Sequence, residues 1–140
     1  MTVGVALYGL GNVGSGLVEI LDARGGELRS TRGLDLELRH VVIRDPSRPR
    51  RVQPRHVQPT CDWRAPLEDA QVHIVVEAMG GLDTAGVVVE SALRAGKHVV
   101  TANKALIAAR GEELEALASA RGAELRYEGA VGGAIPVLHA

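Results

Sequence analysis

The 140-residue sequence predicts an α/β protein with a doubly wound parallel sheet, organised as one domain over residues 1–140. Three observations carry the prediction. The first is the opening stretch, residues 3–16. There a short apolar run (Val3, Val5, Ala6, Leu7) breaks into glycines spaced G-x-G-x-x-G (Gly9, Gly11, Gly14), and apolar residues then recur at helical spacing (Val13, Leu17, Ile20, Leu21). The second is the alternation that follows, in which strand-like apolar runs are separated by stretches with a helical period. The third is the near absence of aromatics. With no Phe, one Trp and two Tyr, the core must be Val, Leu, Ile and Ala, which suits a parallel sheet buried on both faces.

In chain order, the first strand leads into a helix predicted over 12–23, ended or interrupted by Gly25-Gly26, with 27–33 as a polar surface connection. The second strand runs through Leu36, Leu38, Val41, Val42 and Ile43 and stops at the turn signal Arg44-Asp45-Pro46. Residues 48–64 are basic and proline-rich without a period, and read as a long loop holding one short strand at most. A single helical turn follows at 66–70. The third strand, 72–78, is closed by Gly80-Gly81. A helix over 84–95 ends at Gly96, a natural C′ residue. The fourth strand is 98–101, and Asn103 caps a short helix, 104–109. Gly111 opens a further helix that Gly122 ends, and 124–127 is the fifth strand. The expected strand order is 3-2-1-4-5.

Composition excludes several function classes. Lys and Arg (16) nearly balance Asp and Glu (17), which argues against nucleic acid as a partner. Cys61 is the sole cysteine, so neither an intramolecular disulfide nor a cysteine metal site is expected. No apolar run reaches the roughly 18 residues that span a bilayer, so no membrane partner is expected. The N-terminus lacks a basic region ahead of its apolar run, which predicts no signal peptide and a cytoplasmic protein.

Strand, glycine turn and helix in that order form a dinucleotide-binding fingerprint, characteristic of the Rossmann-type fold. Gly9 allows the tight turn, Gly11 admits the pyrophosphate to the backbone, and Gly14 lets the helix pack close to the strand. The helix N-terminus then presents its free N–H groups to the phosphates, so the run Gly9-Leu10-Gly11-Asn12-Val13-Gly14 is the predicted cradle. At the end of the second strand, Arg44 suits the 2′-phosphate of NADP, while the adjacent Asp45 suits the ribose hydroxyl of NAD; use of both cofactors stays open. Arg48, Arg50 and Arg51 read more simply as a solvated loop. Glu77, Gly80 and Gly81 lie where chain and cofactor should pass close together, although glycines also serve plain turns. Thr101 and Lys104 lie at the carboxyl end of the fourth strand, where ligands bind in this fold. Lys104 has three candidate partners there: the nicotinamide ribose, a substrate carboxylate or a transferred proton. Glu128, followed by Gly129 to Pro136, offers a carboxylate and backbone carbonyls to a hard cation, or forms a tight turn.

Three segments together carry a family resemblance: Gly9 to Gly14, Gly96-Lys97-His98-Val99-Val100-Thr101-Ala102-Asn103-Lys104-Ala105-Leu106, and Tyr127-Glu128-Gly129-Ala130-Val131-Gly132-Gly133-Ala134-Ile135-Pro136. The chain resembles homoserine dehydrogenase in its N-terminal NAD(P)-binding domain. The resemblance implies reversible NAD(P)-dependent interconversion of L-homoserine and L-aspartate 4-semialdehyde, on the route to threonine and methionine. It places Gly9 to Gly14 on the pyrophosphate, Arg44 on the 2′-phosphate, Thr101 and Lys104 on the nicotinamide side, and Lys104 at the reaction centre. It also implies a sodium ion held by Glu128 and by the carbonyls of Val131, Gly133 and Ile135. Ala134 stands where many relatives have glycine. The family adds a substrate-binding catalytic domain that also supplies much of a homodimer interface. The expectation is therefore that this 140-residue chain lacks that domain, ends at the crossover to it, and does not turn over homoserine alone. The alternatives are a non-catalytic NAD(P)-sensing module, or another amino-acid or semialdehyde dehydrogenase.

Overall fold

The alternation of apolar runs and helices produces the expected parallel sheet. The computed structural model describes residues 1–127. In order these form β1 (Thr2–Tyr8), α1 (Asn12–Arg32), β2 (Asp35–Val42), α2 (Ala65–Glu68), β3 (Val72–Glu77), α3 (Asp83–Arg94), β4 (His98–Thr101), α4 (Lys104–Ala120) and β5 (Leu125–Arg126). All four strand pairings are parallel. One face of the sheet packs Ala6, Tyr8, Val75 and Val99 against α3 and α4, with Trp63 and Leu67 at the margin. The other packs Leu7 and Val41 against Val18 of α1, with Val52 and Val57 of the long loop.

The strand order is β2-β1-β3-β4-β5, not 3-2-1-4-5. The reason lies in residues 44–64. Prolines and the missing alternation leave this segment one bridge, in which Thr60 pairs with Val42 in parallel. Its amide donates to Val41 O (2.9 Å), and its carbonyl accepts from the Ile43 amide (2.9 Å). Thr60 thus stands where a third strand of the first half would lie, and Val72–Glu77 opens the second half beside β1. Counting Thr60 as a rudimentary strand restores the doubly wound order 3-2-1-4-5-6. The crevice at the switch point then opens above the carboxyl ends of β1 and β3.

Two helices depart from expectation. The first does not stop at Gly25-Gly26 but runs to Arg32. Two glycines cost about 1 kcal/mol each in a helix interior. A better stop lies beyond: Gly33 takes φ +64° and returns its amide to Arg29 O, and the Leu34 amide returns to Leu28 O. Likewise Gly111 does not restart a helix but sits inside α4, which is continuous from Lys104 to Ala120. The expected apolar stripe of α1 is also rotated. Val13 and Ile20 are exposed, and Gly14, Ser15 and Val18 form the buried side, because α1 approaches β1 through its small residues. The C′ role of Gly96 holds, with φ +74° and its amide donating to Leu93 O.

Candidate functional site: the crevice above the strand ends

The glycine turn is shaped by two close approaches. Gly9 has φ +99°, and a Cβ there would lie 2.7 Å from Ala78 O. A Cβ on Gly14 would lie 2.0 Å from Gly9 O, so any side chain forces α1 off the strand. Gly11 differs: it is the N-cap residue of α1 with φ −84°, and a Cβ there meets none of the described residues within 4 Å. The space above Gly11 is therefore required neither by backbone conformation nor by packing. Among the described residues no side chain caps α1, and its first turn holds no acidic residue. Its first N–H groups and positive dipole end are thus free for an anion. The cradle fits a pyrophosphate.

Beside it lies a cleft of about 200 Å³ lined by Gly9, Leu10, Gly11, Arg44, Asp45, Arg48 and Arg50, among others. Arg44 is exposed at its rim. Asp45 is engaged locally: its carboxylate accepts from Ser47 N (2.9 Å) and Ser47 Oγ (2.6 Å), which holds its pKa below the usual carboxylate range. Arg50 is not the solvated loop residue expected. It is half-buried, donates to Asp45 O (2.9 Å), and reaches toward Leu10 O of the glycine turn (3.5 Å). Its buried Nε has no hydrogen-bond partner among the described residues. No periodicity marks Arg50 in a loop without a pattern, so nothing in the sequence distinguished it from Arg48 and Arg51. Arg51 pairs with Glu19 on α1, outside the cleft.

At the other side of the crevice, Glu77 is fully buried at the end of β3. Its Oε1 accepts from the amides of Met79 (2.7 Å) and Gly80 (3.1 Å), and its Oε2 from Thr101 Oγ1 (2.6 Å). Thr101 is buried, and its hydroxyl also accepts from Asn103 N (3.0 Å), so its donor and an acceptor position are both engaged. Asn103 caps α4 by accepting from Leu106 N (3.1 Å) and donates through Nδ2 to Gly81 O (2.6 Å). Gly80 and Gly81 both have positive φ, +79° and +78°. Asn103 was expected only as a cap; its second bond depends on a tertiary contact that sequence spacing does not encode. Lys104 is exposed in the first turn of α4, next to this cluster.

Gly9 to Gly14, Arg44, Gly80, Gly81, Thr101 and Lys104 thus all follow the carboxyl ends of strands or sit at them, and of these Gly9, Leu10, Gly11 and Arg44 line the cleft itself. The expected sodium ligands Glu128, Val131, Gly133 and Ile135 lie outside the described residues. Among the described residues, no group of three or more His, Cys, Asp or Glu could hold a metal ion, and no helix is long and apolar enough to cross a membrane. A wider cleft of about 640 Å³ lies elsewhere, between the second half of α1, β2 and residues 54–57. Its charges are largely paired with one another (Arg29 with Asp35, Arg55 with Asp22), so it presents no comparable anion site.

Comparison with known proteins agrees with this geometry. Residues 9–128 match the sequence profile described as "Homoserine dehydrogenase, NAD binding domain". Homoserine dehydrogenase of Corynebacterium glutamicum is 45% identical over 137 residues, covering 97% of this chain and 30% of that protein. The crystal structure of Staphylococcus aureus homoserine dehydrogenase superposes with a TM-score of 0.88 at 36% identity, over 94% of this chain and 34% of that one. A hyperthermophilic archaeal homoserine dehydrogenase in complex with NADPH shares the fold, with a TM-score of 0.78 at 24% identity, over 99% of this chain and 47% of that one. The chain spans about 30% of the length of the curated relatives it matches. With its parallel sheet, glycine cradle and profile match, the chain belongs to the homoserine dehydrogenase family, as its nicotinamide-dinucleotide-binding domain.

Proposed function

We propose that the chain supplies the cofactor-binding part of a homoserine dehydrogenase that interconverts L-homoserine and L-aspartate 4-semialdehyde. The observation that carries the proposal is the open space above Gly11 at an uncapped helix N-terminus, in a chain of this family. The dinucleotide, when bound, accepts or returns the hydride. The chain's own residues bind and orient it: Gly9 to Gly14 at the pyrophosphate, with Leu10, Asn12 and Val13 contributing backbone rather than side chains, and Arg44 at the adenosine ribose. Lys104, projecting from the start of α4, is the group nearest in role to a substrate-orienting or proton-transferring cation. Gly80 and Gly81 pass beneath the nicotinamide half. A cytoplasmic location and a homodimer belong to the same proposal.

NADP is the favoured cofactor, because Arg44, Arg48 and Arg50 all line the cleft beside the glycine turn and because Asp45 is occupied by Ser47. A protein of the same fold holds NADPH. Arg44→Ala is then expected to weaken NADP binding by about 1.5–3 kcal/mol, the range for a hydrogen bond to a charged group. NAD lacks the 2′-phosphate and its affinity should change far less. Calorimetric titration of both nucleotides reads the ratio, and an equal loss for the two would assign Arg44 to the fold or to the shared pyrophosphate.

A further inference from the structure

Four hydrogen bonds at the β3 and β4 ends close on themselves. Gly80 N donates to Glu77 Oε1 (3.1 Å), and Thr101 Oγ1 donates to Glu77 Oε2 (2.6 Å). Asn103 N donates to Thr101 Oγ1 (3.0 Å), and Asn103 Nδ2 donates to Gly81 O (2.6 Å), one residue from the starting point. The Ala102 amide adds a strut to Glu77 O (3.3 Å). This ring couples three things: the left-handed Gly80-Gly81 turn, the tip of β4, and the capped first turn of α4 that carries Lys104. Glu77 is its hub, a fully buried side chain that no ion pair among the described residues accounts for.

We propose that Glu77, Thr101 and Asn103 are positioning residues for the nicotinamide-bearing half of the dinucleotide, holding the Gly80-Gly81 turn and the Lys104 turn at a fixed separation. The inference rests on the functional reading above. Its reason is geometric. In a doubly wound sheet the two mononucleotide halves lie on either side of the switch point. Arg44 and the glycine cradle serve the β1–β2 side, whereas the ring spans β3 and β4. All three contacts to the Glu77 carboxylate are donors. An amide in its place must turn its NH₂ either on two backbone N–H groups or on a hydroxyl that then loses its acceptor.

The test compares two probes, NADPH and adenosine 2′,5′-bisphosphate, titrated calorimetrically into the chain and into Glu77→Gln and Asn103→Ser. Ser is a good N-cap, so Asn103→Ser keeps the α4 cap and removes the bond to Gly81 without setting a charged acceptor against the Gly81 carbonyl. The test therefore does not depend on Glu77→Gln folding. Each variant is expected to bind NADPH about tenfold more weakly, the loss of one hydrogen bond at the strong end of the net range. Adenosine 2′,5′-bisphosphate, which never reaches the ring, should keep its affinity. Parallel losses for both probes would mean general damage to the fold and would overturn the inference, as would unchanged NADPH affinity in folded Asn103→Ser. Failure of the unmutated chain to bind either probe would overturn the functional reading, and the inference with it.

Discussion

Gly11→Val is expected to fold like the parent chain and to lose dinucleotide binding by at least about a hundredfold. The backbone at Gly11 has φ −84°, open to any L residue, and no described residue lies within 4 Å of a Cβ there. The substitution therefore costs the apo fold little. A branched side chain would nevertheless fill the approach of the pyrophosphate to the α1 N-terminus. That removes two or more charge-assisted hydrogen bonds of about 1.5–3 kcal/mol each, at about 1.4 kcal/mol per tenfold in affinity. Gly14→Ala is the contrasting control. Its Cβ would stand 2.0 Å from Gly9 O, so the damage falls on the packing of α1 against β1 and appears as a lowered melting temperature. Thermal unfolding and nucleotide titration of the pair separate the roles. Unchanged affinity in a folded Gly11→Val would remove the pyrophosphate from this turn.

Lys104→Ala, placed in a protein that turns over homoserine, is expected to lower kcat/KM for homoserine by roughly 10²–10⁴, the contribution of a positioned acid–base group. Dinucleotide affinity should move much less, because Lys104 starts α4 on the β4 side, across the crevice from the Arg44 cleft. Lys104 is exposed, and among the described residues no hydrogen bond or ion pair holds its ammonium. Its site, the first turn of a helix, is also the wrong dipole end for a cation. Lys104→Arg should restore only part of the activity, since a guanidinium is larger and stays protonated. Steady-state kinetics with a nucleotide titration check both variants, and wild-type kcat/KM in Lys104→Ala would retire the assignment.

Much of this molecule was legible in its sequence because the signals are local. A period-2 or continuous apolar run names a strand, Gly96 and Gly122 end helices through a positive φ, and the glycines after the first apolar run mark the turn from β1 into α1. What was misread depends on partners far away in sequence. Gly25-Gly26 looked like a stop because the competing stop at Gly33, with its return bond to Arg29 O, is invisible in propensity alone. The strand order failed because Thr60 contributes a single bridge, too short to carry a period. Glu77 reads from the sequence only as a residue where chain and cofactor pass close together. Its ring with Thr101 and Asn103 needs the β3–β4 register, in which Glu77 lies opposite Thr101.

The central claim is that the dinucleotide lies across the carboxyl ends of β2, β1, β3 and β4. Amide chemical shifts of the chain, followed while NADPH is titrated in, test it most directly. The account predicts that the largest changes fall on Gly9 to Gly14, on Arg44 and Asp45, and on Gly80, Gly81 and Lys104. Changes concentrated instead at Gly25, Gly26, Arg29 and His56, around the wider cleft of about 640 Å³, with the Gly11 amide unmoved at saturation, would contradict it.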